Sequence, residues 1–170
     1  MRRLVWCLLV VVSVAPAWAD SDVAAIHAEI DRTVWKTFQH AFESMDGDAL
    51  NSVYADNVLR ATPEGIDTQN EFKQTNRTRF AANVANGDQI ALDFWFDSRR
   101  TEATTSYDVG FYRVRITNAS GATNTFYGQF HIVLKKLEGS WKIVQDWDTG
   151  SIGGRAISAA DFERQQPVRF

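Results

Sequence analysis

Apolar residues recur every third or fourth position at Val23, Ile26, Ile30, Val34, Phe38 and Phe42, which lays one apolar stripe along a helix of about six turns. Gly47 closes this helix, and Asp48 is expected to cap a short second one carrying Leu50, Val53 and Tyr54. A strand-like piece around residues 58–61 and a turn at Pro63-Glu64-Gly65 come next. Thr68-Gln-Asn-Glu71 has the form of a capping box, so a third helix is expected from there to Asn86-Gly87.

From Gln89 onward the period changes from helical to alternating. Strands are predicted over residues 90–97 and 106–117, then in two segments flanking Leu137-Glu138-Gly139-Ser140, a short Gly-containing interruption that marks an antiparallel hairpin. Successive side chains of a strand point to opposite faces. Phe126, Gly128, Phe130, Ile132 and Leu134 therefore share one face, matched by Ile90, Leu92, Phe94 and Phe96 on one strand and by Asp108, Tyr112, Val114 and Ile116 on another. On the last strand, strict alternation puts Ile143, Gln145 and Trp147 inward and Asp146 and Asp148 outward, unless a bulge resets the register. Three helices followed by four long antiparallel strands, with a small strand between the second and third helices, is an α+β order.

Composition enters at the N-terminus. Arg2 and Arg3 precede an apolar run ending in Ala17-Trp18-Ala19, the pattern of a cleaved export leader spanning residues 1–19. The run is shorter than the roughly 20 residues a membrane-spanning helix needs, so export without a membrane anchor is expected, to the periplasm or beyond. The single cysteine, Cys7, leaves with the leader, which removes disulfides and thiol catalysis from consideration. Loss of the two arginines lowers Lys+Arg from 18 to 16 against 21 Asp+Glu, moving the net charge from -3 to -5. A mildly acidic domain with scattered charge is a poor match for nucleic acid. A domain over residues 20–150 is expected, followed by a tail, 151–170, in which Ser158-Ala-Ala-Asp161 starts a short helix.

The run Met45-Asp-Gly-Asp-Ala-Leu-Asn-Ser-Val-Tyr-Ala-Asp-Asn57, with Gly110-x-Tyr112, Gly128-x-Phe130 and Trp141-Lys-Ile-Val-x-Asp-Trp-Asp148, resembles the nuclear transport factor 2-like superfamily. The similarity is greatest to its SnoaL-like and ketosteroid-isomerase-homologue branch. The resemblance implies a cone-shaped fold, three N-terminal helices on a curved, mainly antiparallel sheet, with a pocket between them and dimerisation through the outer sheet face. It does not imply one reaction, because the superfamily includes isomerases, cyclases, dehydratases, ligand binders and association modules. Ketosteroid isomerases carry a proton-shuttling aspartate in an Asp-Pro-x-Gly stretch. Here Thr62-Pro63-Glu64-Gly65 stands in its place, and the first helix has no tyrosine for an oxyanion donor, so that mechanism is not expected.

The inward faces predict an aromatic pocket for an apolar or aromatic small molecule, with Tyr54, Phe94, Tyr112, Phe130, Gln145 and Trp147 as ligand-binding candidates. Asp108 and Asp148 are the candidate acids or bases for proton transfer. No acid–base pair is forced by spacing, so binding stands ahead of catalysis, and a dimeric association module is the alternative. His27, His40 and His131 lack ligand spacing, so neither metal nor cofactor is expected. Trp95, Arg113, Tyr127 and His131 fall on the outer face, where their aromatic character points to a homodimer.

Overall fold

The computed structural model describes residues 18–161, 167, 168 and 170. The expected leader therefore lies outside the described residues, apart from Trp18 and Ala19. Helix α1 (Trp18–Ile30) runs without a break through five π-helical residues, Asp31–Trp35, into α2 (Lys36–Glu43). The interruption has a geometric reason. Apolar residues spaced by four slip about 40° around a helix of 3.6 residues per turn at each step, and a wider turn takes part of that slip back. The Lys36 amide accordingly reaches the Asp31 carbonyl, and Val34 and Trp35 are both buried.

The next two caps differ from the expected ones. Met45 takes a left-handed backbone, φ 56°, and Asp46, not Asp48, accepts from the amides of Asp48 and Ala49 to start α3 (Gly47–Ser52). Gly47 lies inside that helix, where a Cβ would come within 2.8 Å of the Arg77 Cα. Tyr54 opens strand β1 (Tyr54–Thr62) instead of ending α3. Strand β2 (Gly65–Asp67) pairs back onto β1. Helix α4 (Glu71–Ala85) is capped by Asp67, whose carboxylate accepts from the amides of Gln69 and Phe72, so Thr68 does not form the predicted box.

Strands β3 (Gln89–Thr101), β4 (Thr105–Thr117), β5 (Thr123–Leu137) and β6 (Ser140–Thr149) follow as an antiparallel meander. The sheet order is β2-β1-β6-β5-β4-β3, with β1 parallel to β6. At the central hairpin Glu138 and Gly139 both have positive φ, as a two-residue turn of this hand requires. The helices cover one face of the curved sheet, and the core between them includes Trp35, Leu50, Phe80, Leu92, Phe94, Phe130, Leu134 and Ile143.

One register shift determines what faces that core. Leu134 pairs with Ile143 and Val133 with Gln145, leaving Val144 without a partner on β5. Before this bulge odd-numbered residues point inward, Trp141 at 3 % and Ile143 at 0 % exposure; after it the even-numbered Asp146 does so, at 4 %. The strict alternation expected for β6 is thus corrected, and Gln145 and Trp147 lie on the outer face.

The outer face is partly covered by the chain itself. After a small hairpin of β7 (Ser151–Ile152) and β8 (Arg155–Ala156), Ile157 packs over Trp95, with Phe111 and Tyr127 alongside. A single 3-10 turn, Ala159–Asp161, stands where the terminal helix was expected to begin. At the far end Phe170 packs against Phe94 and Phe96 on the core side.

Candidate functional site

Between the helices and the sheet lies a cavity of about 350 Å³, within the size range of small-molecule sites. Trp35 and Phe38 from the first helix, Phe80 from α4, Phe94 from β3 and Phe130 from β5 form its aromatic walls. The Trp35 ring sits 5.1–5.2 Å from those of Phe94, Phe96 and Phe130. The polar side is built by β1 and β6. Arg60 lies directly across from Asp146 in the parallel pair and donates to Asp146 Oδ2 at 2.6 Å and to Asp148 Oδ2 at 2.9 Å. The Tyr54 hydroxyl donates to the same Asp146 oxygen at 2.8 Å.

Tyr112 reaches the cavity by lying across β5 at Gly128, where a Cβ would stand 2.3 Å from the tyrosine Cζ. Only a glycine leaves that space. Its hydroxyl has no hydrogen-bond partner among the described residues.

The electrostatics follow from enclosure. Burial raises the Asp148 pKa above its ordinary 3.8; the Arg60 charge opposes this and the Asp146 charge reinforces it. Burial, with the neighbouring carboxylates, also pushes the Tyr54 and Tyr112 hydroxyls up, so both are neutral donors at physiological pH. For Arg60 burial acts downward, but the charges of Asp146 and Asp148 outweigh it and the pKa is raised. The site therefore holds an aspartate whose carboxyl pKa is raised above its ordinary value by burial, beside the neutral hydroxyls of Tyr54, which donates to Asp146, and Tyr112.

Tyr54, Phe94, Tyr112, Phe130 and Asp148 all border the cavity. Gln145 and Trp147 do not; they line a shallow outer cleft with Leu59, Ala61, Tyr107 and His131. Asp108 faces inward but lies behind Trp35, whose Nε1 donates to it at 2.9 Å, and is fully buried with Ser106 and Arg99 as further donors. A ligand in the cavity meets the indole before it meets that carboxylate. Arg60, Asp146 and Arg79 complete the charged lining; the two arginines were not among the sequence candidates, and Asp146 was expected on the outer face unless a bulge intervened. An arginine between Leu59 and Ala61 in a strand was the available signal for Arg60. Among the described residues no three His, Cys, Asp or Glu side chains converge as a metal site, and no helix is long and apolar enough to cross a membrane.

The sequence matches no protein-family profile and no curated protein. Solved structures are similar. An NTF2-like protein with a cystatin-like fold from Novosphingobium aromaticivorans superposes with a TM-score of 0.62 at 15 % identity, over 84 % of this chain and 90 % of that one. A nuclear transport factor 2 superfamily protein from Salmonella enterica gives 0.57 at 12 % identity, over 80 % and 95 %. A ketosteroid isomerase-like protein from Erwinia carotovora atroseptica gives 0.53 at 17 % identity, over 72 % and 93 %. With helices on one face of a curved sheet, a cavity between them and these neighbours, the chain has the nuclear transport factor 2-like fold.

Proposed function

We propose that this protein binds an apolar or aromatic small molecule inside the cone and that Asp148 exchanges a proton with it. The observation that carries this reading is the aromatic cavity with the Tyr54–Asp146–Arg60–Asp148 cluster along one side. In a reaction of the isomerase, cyclase or dehydratase type, Asp148 as carboxylate accepts a proton from the bound molecule, and Tyr112 donates a hydrogen bond to the oxygen where negative charge develops. The neutral Asp148 then returns the proton at a second position or to a leaving hydroxyl. Raising the Asp148 pKa brings it nearer to working pH, which favours transfer in both directions.

Trp35 reports occupancy, since of the tryptophans only this one lines the cavity among the described residues. A ring-containing ligand should quench it; Trp35→Phe should remove the response and Trp147→Phe should leave it. Asp148→Asn separates binding from chemistry: affinity stays within about tenfold, roughly 1.4 kcal/mol, whereas turnover falls on the order of a hundredfold or more. Quenching lost in Trp147→Phe and kept in Trp35→Phe would place the ligand elsewhere.

The same reading makes the protein an exported homodimer. Its outer cleft carries Leu59 and Tyr107, 42 % and 37 % exposed, and His131 edge-on to Trp147 at 4.7 Å, a patch suited to a second copy. Light scattering should give twice the chain mass, reduced to one by Tyr107→Glu, and recovered protein should begin at Asp20.

A further inference from the structure

Four charged side chains border the cavity, and they are not equally engaged. Arg60 is bonded to both carboxylates. Arg79 has no carboxylate partner among the described residues, and its one hydrogen bond, to Asn76 Oδ1, is long at 3.4 Å. Its guanidinium carbon lies 5.2 Å from the Phe42 ring centre and 5.0 Å from that of Phe80. Two rings thus hold a cation that borders the cavity and is itself exposed. Asn76, one turn before, is fixed by donating to Asn51. Asn83, one turn after Arg79 on the same helical face, also borders the cavity, and its side chain has no hydrogen-bond partner among the described residues.

Resting on the binding role proposed above, we infer that the ligand carries an oxyanion, such as a carboxylate, at one end of its apolar ring body, and that Arg79 receives it with Asn83 beside it. A guanidinium offers parallel N–H donors that match a carboxylate or sulfonate, and such charge-assisted bonds are the stronger kind. The Phe42 and Phe80 rings set the guanidinium in place from one side without using those donors, which stay open to an incoming anion. Burial and then the Arg60 charge push the Arg79 pKa down, a direction that an incoming anion reverses. Arg60 is less suited to the same task, because it already bonds both acids and their charges offset its own. The ligand then spans the cavity with its anion at the α4 rim and its reactive part beside Asp148 and Tyr112.

The test uses two dyes with one ring skeleton, 8-anilinonaphthalene-1-sulfonate and its neutral counterpart N-phenyl-1-naphthylamine, titrated against the whole protein and followed by Trp35 quenching. Expected is binding of the sulfonate about tenfold tighter than the neutral dye, a gap that narrows at high salt. Arg79→Gln should abolish the preference and change the neutral dye's Kd by less than about twofold; Arg79→Lys should keep part of it. Thermal melting confirms that both variants fold, and the wild-type preference and its salt dependence are read independently of them. If wild type binds both dyes equally, or Arg79→Gln weakens both alike, the oxyanion inference is overturned while the binding role stands. If neither dye quenches Trp35, both fall.

Discussion

Asp108 has two competing interpretations, catalytic acid or structural anchor, and Asp108→Ala separates them. The carboxylate is fully buried and receives Trp35 Nε1 at 2.9 Å, Ser106 Oγ at 2.7 Å and Arg99 Nε at 3.1 Å. Removing it leaves an enclosed guanidinium without one of its partners, a change that costs about 3–5 kcal/mol. Arg99 retains Asp31 at 2.7 Å on its other side, which favours the lower end. The orphaned indole N–H adds about 1–3 kcal/mol, but groups sharing one network are not additive, so the total stays near 3–5 kcal/mol. For a chain of 170 residues each kcal/mol shifts the melting temperature by about 2–4 °C. Asp108→Ala should therefore melt roughly 6–20 °C below wild type, as read by circular dichroism or calorimetry. Asp148→Asn, in a position whose side chain is 25 % exposed, should stay within a few degrees. Dye binding at 25 °C should survive in the fraction of Asp108→Ala that remains folded. The structural interpretation is wrong if Asp108→Ala melts within a degree or two of wild type and yet loses binding or turnover, because the carboxylate would then be acting on the ligand directly.

Arg60→Ala strips two enclosed carboxylates of their cation and should cost about 3 kcal/mol near pH 7. Asp148 already has a raised pKa and rises further without Arg60, so its protonation relieves the strain as pH falls; the melting deficit against wild type should shrink between pH 7 and 4, and a deficit constant over that range would refute the pairing argument. Gly128→Ala puts a methyl 2.3 Å from the Tyr112 ring, so the tyrosine must leave its place; a loss of stability of about 1–3 kcal/mol is expected, and unchanged melting with unchanged dye binding would contradict the packing.

Much of the fold was legible because its signals are local and redundant. The switch from a helical to a two-residue period at Gln89, the Gly139 turn and the matched apolar faces of three strands each specify the same arrangement. What was missed depends on contacts between distant segments. Asp46 and Asp67 were passed over as caps because Asp48 and Thr68 offer equally suitable side chains one or two residues away, and only the left-handed Met45 and Asn70 decide between them. The π turn is likewise a response to the sheet beneath it. Trp35 sits one position off the apolar stripe and is pulled inward by Asp108 and three phenyl rings that no helical pattern displays. Arg79 was silent because an arginine on a helix reads as a solvated side chain until the adjoining rings of Phe42 and Phe80 are seen against it.

The bulge at Val144 explains why the candidate site was only half visible. Without it, alternation continuing from Ile143 would send Gln145 and Trp147 into the cavity and turn both aspartates to the outer face. Arg60 and the Tyr54 hydroxyl, placed inward by β1, would then face an aromatic cavity with an amide as their nearest polar neighbour. An enclosed guanidinium without a carboxylate costs several kcal/mol, more than the ladder hydrogen bonds forgone at one unpaired residue, each worth about 0.5–1.5 kcal/mol. The register that satisfies Arg60 wins, and Trp147 loses little by it, since His131 and Leu59 give the indole apolar neighbours on the outer face. Alternation on a strand is a statement about that strand alone, whereas here the deciding group lies more than eighty residues earlier on its parallel neighbour.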